Sequence, residues 1–213
     1  DHPKLCPVTG ELLAFGYDVV TAPYLTYFRI GPTGEVLAIE PIEIPNPVMM
    51  HDWNVTEHHV VFMDLPVRFG LERAMAGDQP FGWHPESGAR LGVMPREGTN
   101  ADVTWHEIDP CYVFHPLNAY DASNGTVVVD VCRYDTMMVS DFTGPFGDAL
   151  PTFDRWVIDP VARRVTETRI DDRPQEFPRH NPKVGLQQHR YGYTSEVSPD
   201  AANLHGAIIK IDV

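Results

Sequence analysis

Short apolar runs recur along the whole chain between turn-forming residues, and helical periodicity is scarce. Segments 12–20, 25–30, 36–44, 59–65, 126–134, 155–158 and 165–170 are rich in β-branched and aromatic residues. Gly, Pro and Asp bound them, so each is expected to be a strand. A short helical turn at Leu71–Ala76 is the one competing signal. Twenty prolines and sixteen glycines are spread along the chain rather than clustered, as many tight turns between short strands require. The fold class expected is all-β.

A faint internal repeat adds to this. Pro7-Val8-Thr9-Gly10-Glu11-Leu12 echoes Pro32-Thr33-Gly34-Glu35-Val36, each a turn feeding a strand. Tyr27-Phe28-Arg29-Ile30-Gly31-Pro32 echoes Arg155-Trp156-Val157-Ile158-Asp159-Pro160, each a strand running into a turn. Radial repetition of one β unit, as in a propeller, would produce such echoes. Hairpins in a sandwich would share them, so the repeat by itself leans only slightly to the propeller. Ile208-Ile209-Lys210-Ile211-Asp212-Val213 looks like a strand whose turn and returning partner are missing. An open apolar edge invites aggregation. The chain is therefore expected to be an internal segment of a longer polypeptide.

Composition narrows the function. With 43% hydrophobic and 22% charged residues, the 213-residue chain fits one sizeable soluble domain. No apolar run approaches the ~20 residues of a membrane span. Asp1-His2-Pro3-Lys4 has neither the basic region nor the apolar core of a signal peptide. A net charge of −14 argues against nucleic acid and against adsorption to an anionic membrane. Cys6, Cys111 and Cys132 cannot all pair and show no CxxC spacing, which suits a reducing, cytoplasmic setting. Cys111 and His115 stand four apart, but no second Cys/His pair completes a zinc finger.

Candidate chemistry rests on three histidines: His2, His51 and His115. They are far apart in sequence, so each imidazole must arrive on a different structural element. Their surroundings carry a resemblance. His2-Pro3-Lys4 runs through Gly10-Glu11-Leu12 to Gly16-Tyr17-Asp18-Val19; Met50-His51-Asp52-Trp53-Asn54-Val55-Thr56-Glu57 leads to Val60-Val61-Phe62. Pro110-Cys111-Tyr112-Val113-Phe114-His115-Pro116-Leu117-Asn118-Ala119-Tyr120 holds the third. Arg90-Leu91-Gly92-Val93-Met94-Pro95-Arg96, Glu176-Phe177-Pro178-Arg179 and His189-Arg190-Tyr191-Gly192-Tyr193 follow in the same order as further landmarks. Together these segments resemble the carotenoid cleavage oxygenase family.

The resemblance implies a seven-bladed β-propeller in which four histidines and no carboxylate bind one non-haem Fe(II) on the axis. Residues 1–213 would then be one partial domain, roughly half of that propeller and truncated at both ends. His2, His51 and His115 match three of the four ligand positions. The fourth histidine and further glutamates would lie outside the chain, because Asn203-Leu204-His205-Gly206 does not match the remaining motif. Glu176 matches a glutamate that holds a ligand imidazole by its other nitrogen, and His115 is the expected partner. A surface pair with Arg173 or Arg179 is the plainer alternative. The other histidines are expected to be structural or solvated: His58 and His59 at a strand start, His84 in a loop, His106 in a strand, His180 and His189.

The implied activity is O₂-dependent cleavage of a conjugated C=C bond to two carbonyl products. An apolar polyene, carotenoid or apocarotenoid, is the expected substrate. A lignin-type stilbene is the alternative within the family. A propeller-shaped zinc or calcium hydrolase, or a catalytically incomplete scaffold, are the rivals from other classes. Peripheral membrane contact is left to regions outside the segment, and the segment alone is expected to be a poor catalyst.

Overall fold

The computed structural model describes residues 2–140, 146–198 and 205–213. Four antiparallel sheets follow one another along the chain. The first runs in order through β1 (Lys4–Leu5), β2 (Leu12–Tyr17), β3 (Tyr24–Ile30) and β4 (Val36–Glu43). The second begins with β5 (Asn54–Val55) and β6 (His59–Asp64). A small hairpin, β7 (Val67–Phe69) and β8 (Phe81–Trp83), then brackets α1 (Leu71–Ala76), and β9 (Ala89–Pro95) and β10 (Thr104–Ile108) complete the sheet. The third contains β11 (Tyr112–Asp121), β12 (Val127–Tyr134), β13 (Thr152–Asp159) and β14 (Arg164–Asp171). The fourth contains β15 (Gln175–Arg179), β16 (Tyr191–Val197) and β17 (His205–Asp212).

Each expected strand is present, with shifted ends. Segment 12–20 stops at Tyr17 because the Asp18 carboxylate accepts the N–H groups of Val20 and Thr21 at 2.7 and 3.1 Å. That local turn competes with the ladder. Segment 155–158 extends to Thr152–Asp159. The helical turn is a single short helix ended by Gly77 at φ 82, the left-handed C-terminal position that glycine tolerates best. The sequence echoes have a structural meaning. Tyr27–Pro32 and Arg155–Pro160 each lead from the third strand of a sheet into the turn before its fourth. The C-terminal strand β17 pairs antiparallel with the preceding β16 and forms the edge of a sheet that has three strands among the described residues.

Successive sheets pack face to face, and strand alternation decides which neighbour each side chain meets. In β6, Val60 and Phe62 join Leu13, Phe15, Leu25 and Tyr27 of the first sheet. Val61 and Met63 of the same strand join Val113, Val129 and Trp156 of the third. Leu117, Cys132 and Phe153 in turn meet Ile209 and Ile211 of the fourth sheet. Both faces of the middle sheets are thus covered, which is why β6 and β12 read as nearly continuous apolar runs. The last strands of the first and third sheets, β4 and β14, lie mostly exposed or half-exposed. At the opposite edge of the sheets, β11 touches both β5 and β15. First strands converge while β4 and β14 lie on the outer side, as in the blades of a propeller.

Candidate metal centre

The converging edge carries the chemistry. His2 lies just before β1, His51 just before β5, His115 within β11 and Glu176 within β15. Each comes from the first strand of its sheet or from the segment leading into it. Backbone ties fix the two lead-in segments. Trp53 Nε1 donates to the carbonyl of His2 at 3.0 Å, joining the first lead-in to the second. Tyr112 Oη donates to the carbonyl of Met49 at 3.0 Å, and the Met49 N–H bonds to Val67.

Of the two ladder residues, His115 sits in a β-bulge and Glu176 borders one. Val113 faces Arg133 and Pro116 faces Val131, so Phe114 and His115 stand opposite Cys132 alone. Pro116 has no N–H to give the ladder and is accommodated at this irregularity. In β15, Glu176 faces Ser195 and Arg179 faces Tyr193, again with one residue in excess. Phe177 lies in that bulge at φ 56, a left-handed conformation uncommon for a bulky residue. Bulges of this kind re-aim a side chain that regular alternation would point elsewhere.

The three imidazoles meet. Nε2 of His2 and Nε2 of His51 are 3.1 Å apart, and one nitrogen from each of the three rings lies within 4.8 Å of the others. Ring centroids are separated by 4.9, 5.3 and 5.0 Å. Behind them, His115 Nδ1 donates to Glu176 Oε2 at 2.9 Å. That bond fixes the tautomer, so the Nε2 lone pair of His115 is free to ligate. Neither Arg173 nor Arg179 pairs with Glu176: Arg173 holds Asp171 and Arg179 reaches the Pro178 carbonyl. The carboxylate is buried, and its Oε1 accepts from Tyr134 Oη at 3.2 Å. The Phe177 N–H is a further donor to Oε2.

Electrostatics favour neutral rings. Burial pushes the His2 imidazole below its ordinary range, against the pull of Asp52. Burial, together with the neighbouring His115 and His2, takes His51 down to about 4. Both are thus in the uncharged form that binds metals at neutral pH. The carboxylate beside His2, Asp52, is occupied: its Oδ1 takes Lys4 Nζ and the Trp53 N–H, both at 2.7 Å, and its Oδ2 stays 4.0 Å from His2. The donor set is all imidazole. Three imidazole nitrogens gathered at one point fit a divalent transition metal, for which imidazole is a good ligand. Hard calcium, which takes oxygen ligands, does not fit.

The remaining histidines lie elsewhere. His58 is exposed, and His59 Nδ1 contacts Asp121 Oδ1 at 2.7 Å. His84 pairs with Glu86 at the surface, and His106 is buried with Nε2 on Thr104 Oγ1 at 3.0 Å. His180 Nδ1 donates to the Leu117 carbonyl at 2.7 Å. His189 is buried between Asn118 and Asp130. The side chain of His205 lies outside the described residues. Cys111 does not join His115 in a site; it is buried in the core, and burial pushes its thiol up to about 12. Sequence reasoning passed over Tyr134 and Tyr112. Each ends or begins a strand as an ordinary core aromatic, and only the sheet register brings its hydroxyl to a polar partner.

Comparison with known proteins agrees with this geometry. The family model described as RPE65, retinal pigment epithelial membrane protein, matches residues 2–213. A carotenoid cleavage oxygenase of Mycobacterium tuberculosis is 38% identical over 91% of this chain, which spans 47% of that protein. The carotenoid 9,10(9′,10′)-cleavage dioxygenase 1 of Arabidopsis thaliana is 32% identical over 100% of the chain, which spans 40% of it. Among solved structures, Pseudomonas brassicacearum lignostilbene dioxygenase superposes with a TM-score of 0.82 at 31% identity, over 93% of this chain and 44% of its own. The chain thus covers less than half the length of each of these relatives.

Proposed function

The chain belongs to the carotenoid cleavage oxygenase family, and from that premise we propose that its protein is an Fe(II)- and O₂-dependent dioxygenase. It would split a conjugated C=C bond of an apocarotenoid or carotenoid into two carbonyl fragments. His2, His51 and His115 would hold the iron, with a fourth ligand outside this sequence. When bound, Fe(II) would supply O₂ activation. One observation carries the reading: three imidazoles converge with no carboxylate among them, and Glu176 holds one from behind.

The chain's own residues define the rest. Glu176 keeps the His115 ring in one tautomer and one orientation. Phe114 and Phe177 pack against the imidazoles, with centroids 5.2 Å from His51 and 5.5 Å from His115. They give the cluster an apolar side against which a polyene or a stilbene could lie. Both substrate classes occur among the relatives, carotenoid in the proteins from M. tuberculosis and A. thaliana and lignostilbene in that from P. brassicacearum. The polyene is proposed first because two of those three names carry it. A cytoplasmic location, with membrane contact made by other parts of the protein, completes the proposal. Among the described residues, no helix is long and apolar enough to cross a membrane.

The test is turnover by the complete protein loaded with Fe(II) under ¹⁸O₂. Apocarotenoids and 4-hydroxystilbenes are supplied in parallel, and products are identified by mass spectrometry. Two labelled carbonyl fragments from an apocarotenoid are expected. Cleavage of stilbenes alone would move the assignment to the second class, and no cleavage of either would overturn it.

A further inference from the structure

We infer that Tyr134 is a positioning residue for the metal centre, acting through Glu176 on His115; this rests on the metal-binding reading above. The Glu176 carboxylate is 1% exposed, so each of its oxygens needs a donor inside the protein. Oε2 has two, the His115 ring N–H and the Phe177 backbone N–H. Oε1 has the Tyr134 hydroxyl at 3.2 Å. A carboxylate held at one oxygen can still rotate about its last bond. Held at both, it presents a fixed lone pair to the imidazole.

The placement of Tyr134 suits this role. It ends β12 and stands opposite Tyr112 on β11, the strand that carries His115 three residues further on. His115 and Tyr134 therefore grip one carboxylate from two adjacent strands of the third sheet, while Glu176 reaches them from the fourth. The Tyr134 ring is fully buried and boxed by Phe114 and Phe146, with centroids 5.7 and 6.4 Å away. It has no room to swing the hydroxyl elsewhere. Burial also drives its phenol far above the ordinary range, so it remains a donor at any working pH. Tyr134 is not one of the residues whose nitrogens converge, and its influence on a bound metal is indirect.

The experiment measures Fe(II) and Co(II) affinity of the complete protein by competition with a chromophoric chelator, alongside the ligand-field spectrum of the Co(II) form. Tyr134→Phe removes one oxygen and keeps the ring, so packing is retained. It is expected to weaken binding about tenfold, the low end for outer partners of metal ligands, and to alter the Co(II) spectrum. In a Glu176→Gln background the same change should have no further effect, because the carboxylate it steadies is gone. An unchanged affinity and spectrum in Tyr134→Phe, while Glu176→Gln weakens binding, would overturn the inference. So would an equal, additive loss in the double variant. His115→Ala tests the underlying reading separately: metal affinity unchanged by that substitution would remove the metal centre itself.

Discussion

Burial, with the neighbouring imidazoles adding to it, holds the rings of His2 and His51 in the uncharged form that a metal would require. Glu176 adds direction to His115. Replacing Glu176 with Gln should weaken iron binding about 10–100-fold, read by chelator competition, because an amide holds the ring N–H less strongly than a carboxylate. A second buried acid shapes stability. Asp130 accepts both Arg155 Nε and Nη2, at 2.7 and 2.8 Å, and lies 3.2 Å from His189 Nε2. Burial alone would raise its pKa, but hydrogen bonds from Arg155 and His189 outweigh it, and the net shift is downward. A depressed carboxylate stabilises the fold above its ordinary range near 3.8, and that stability is lost as pH falls through the folded value. Asp130→Asn should cost about 3 kcal/mol in a denaturant melt at neutral pH, because it leaves a largely buried guanidinium uncompensated. It should also flatten the acid limb of the stability curve. At this scale, the three histidines and Glu176 were legible because their local motifs are distinctive. Tyr134, Asp52 and Asp130 were not, since their roles depend on which residue the register sets opposite them.

Among the elements, the strands that were easy to read are those without chemistry. β2, β3, β6, β12, β13 and β14 announce themselves by alternation or by apolar runs. The strands that hold or follow the site residues break that pattern. β5 has two residues, β11 contains Pro116 between bulges, and β15 contains Phe177 at positive φ and Pro178. Irregularity hides them from periodicity and at the same time aims His115 and Glu176. Their neighbours have little slack. A Cβ at Gly192 on β16 would come within 2.5 Å of Leu117 Cδ2, and Leu117 is locked among Cys132, Phe153, Ile209 and Ile211. Gly192→Ala should therefore destabilise by about 1–3 kcal/mol in a denaturant melt. It should also lower metal affinity, because Leu117 lies two residues beyond His115 on the bulged strand. A neutral outcome on both would show that the third and fourth sheets can part without disturbing the site.

Across the molecule, one rule links packing to chemistry. The second and third sheets bury both faces against their neighbours, and this packing brings the first strands toward a shared line where the distant histidines meet. The sequence echoes hinted at this repetition, and the motifs supplied the residues. The angle between sheets, which decides whether the imidazoles meet, depends on side-chain fit at interfaces such as that of β6 with both neighbouring sheets. No local pattern encodes it. The most direct test of the account is an anomalous-scattering crystal structure of the complete protein loaded with Fe(II). One iron is expected, with Nε2 of His2, His51 and His115 each at about 2.0–2.3 Å, slightly beyond the usual zinc–nitrogen distance. Iron bound through any other set of residues, or a protein that takes up no stoichiometric iron, would contradict it.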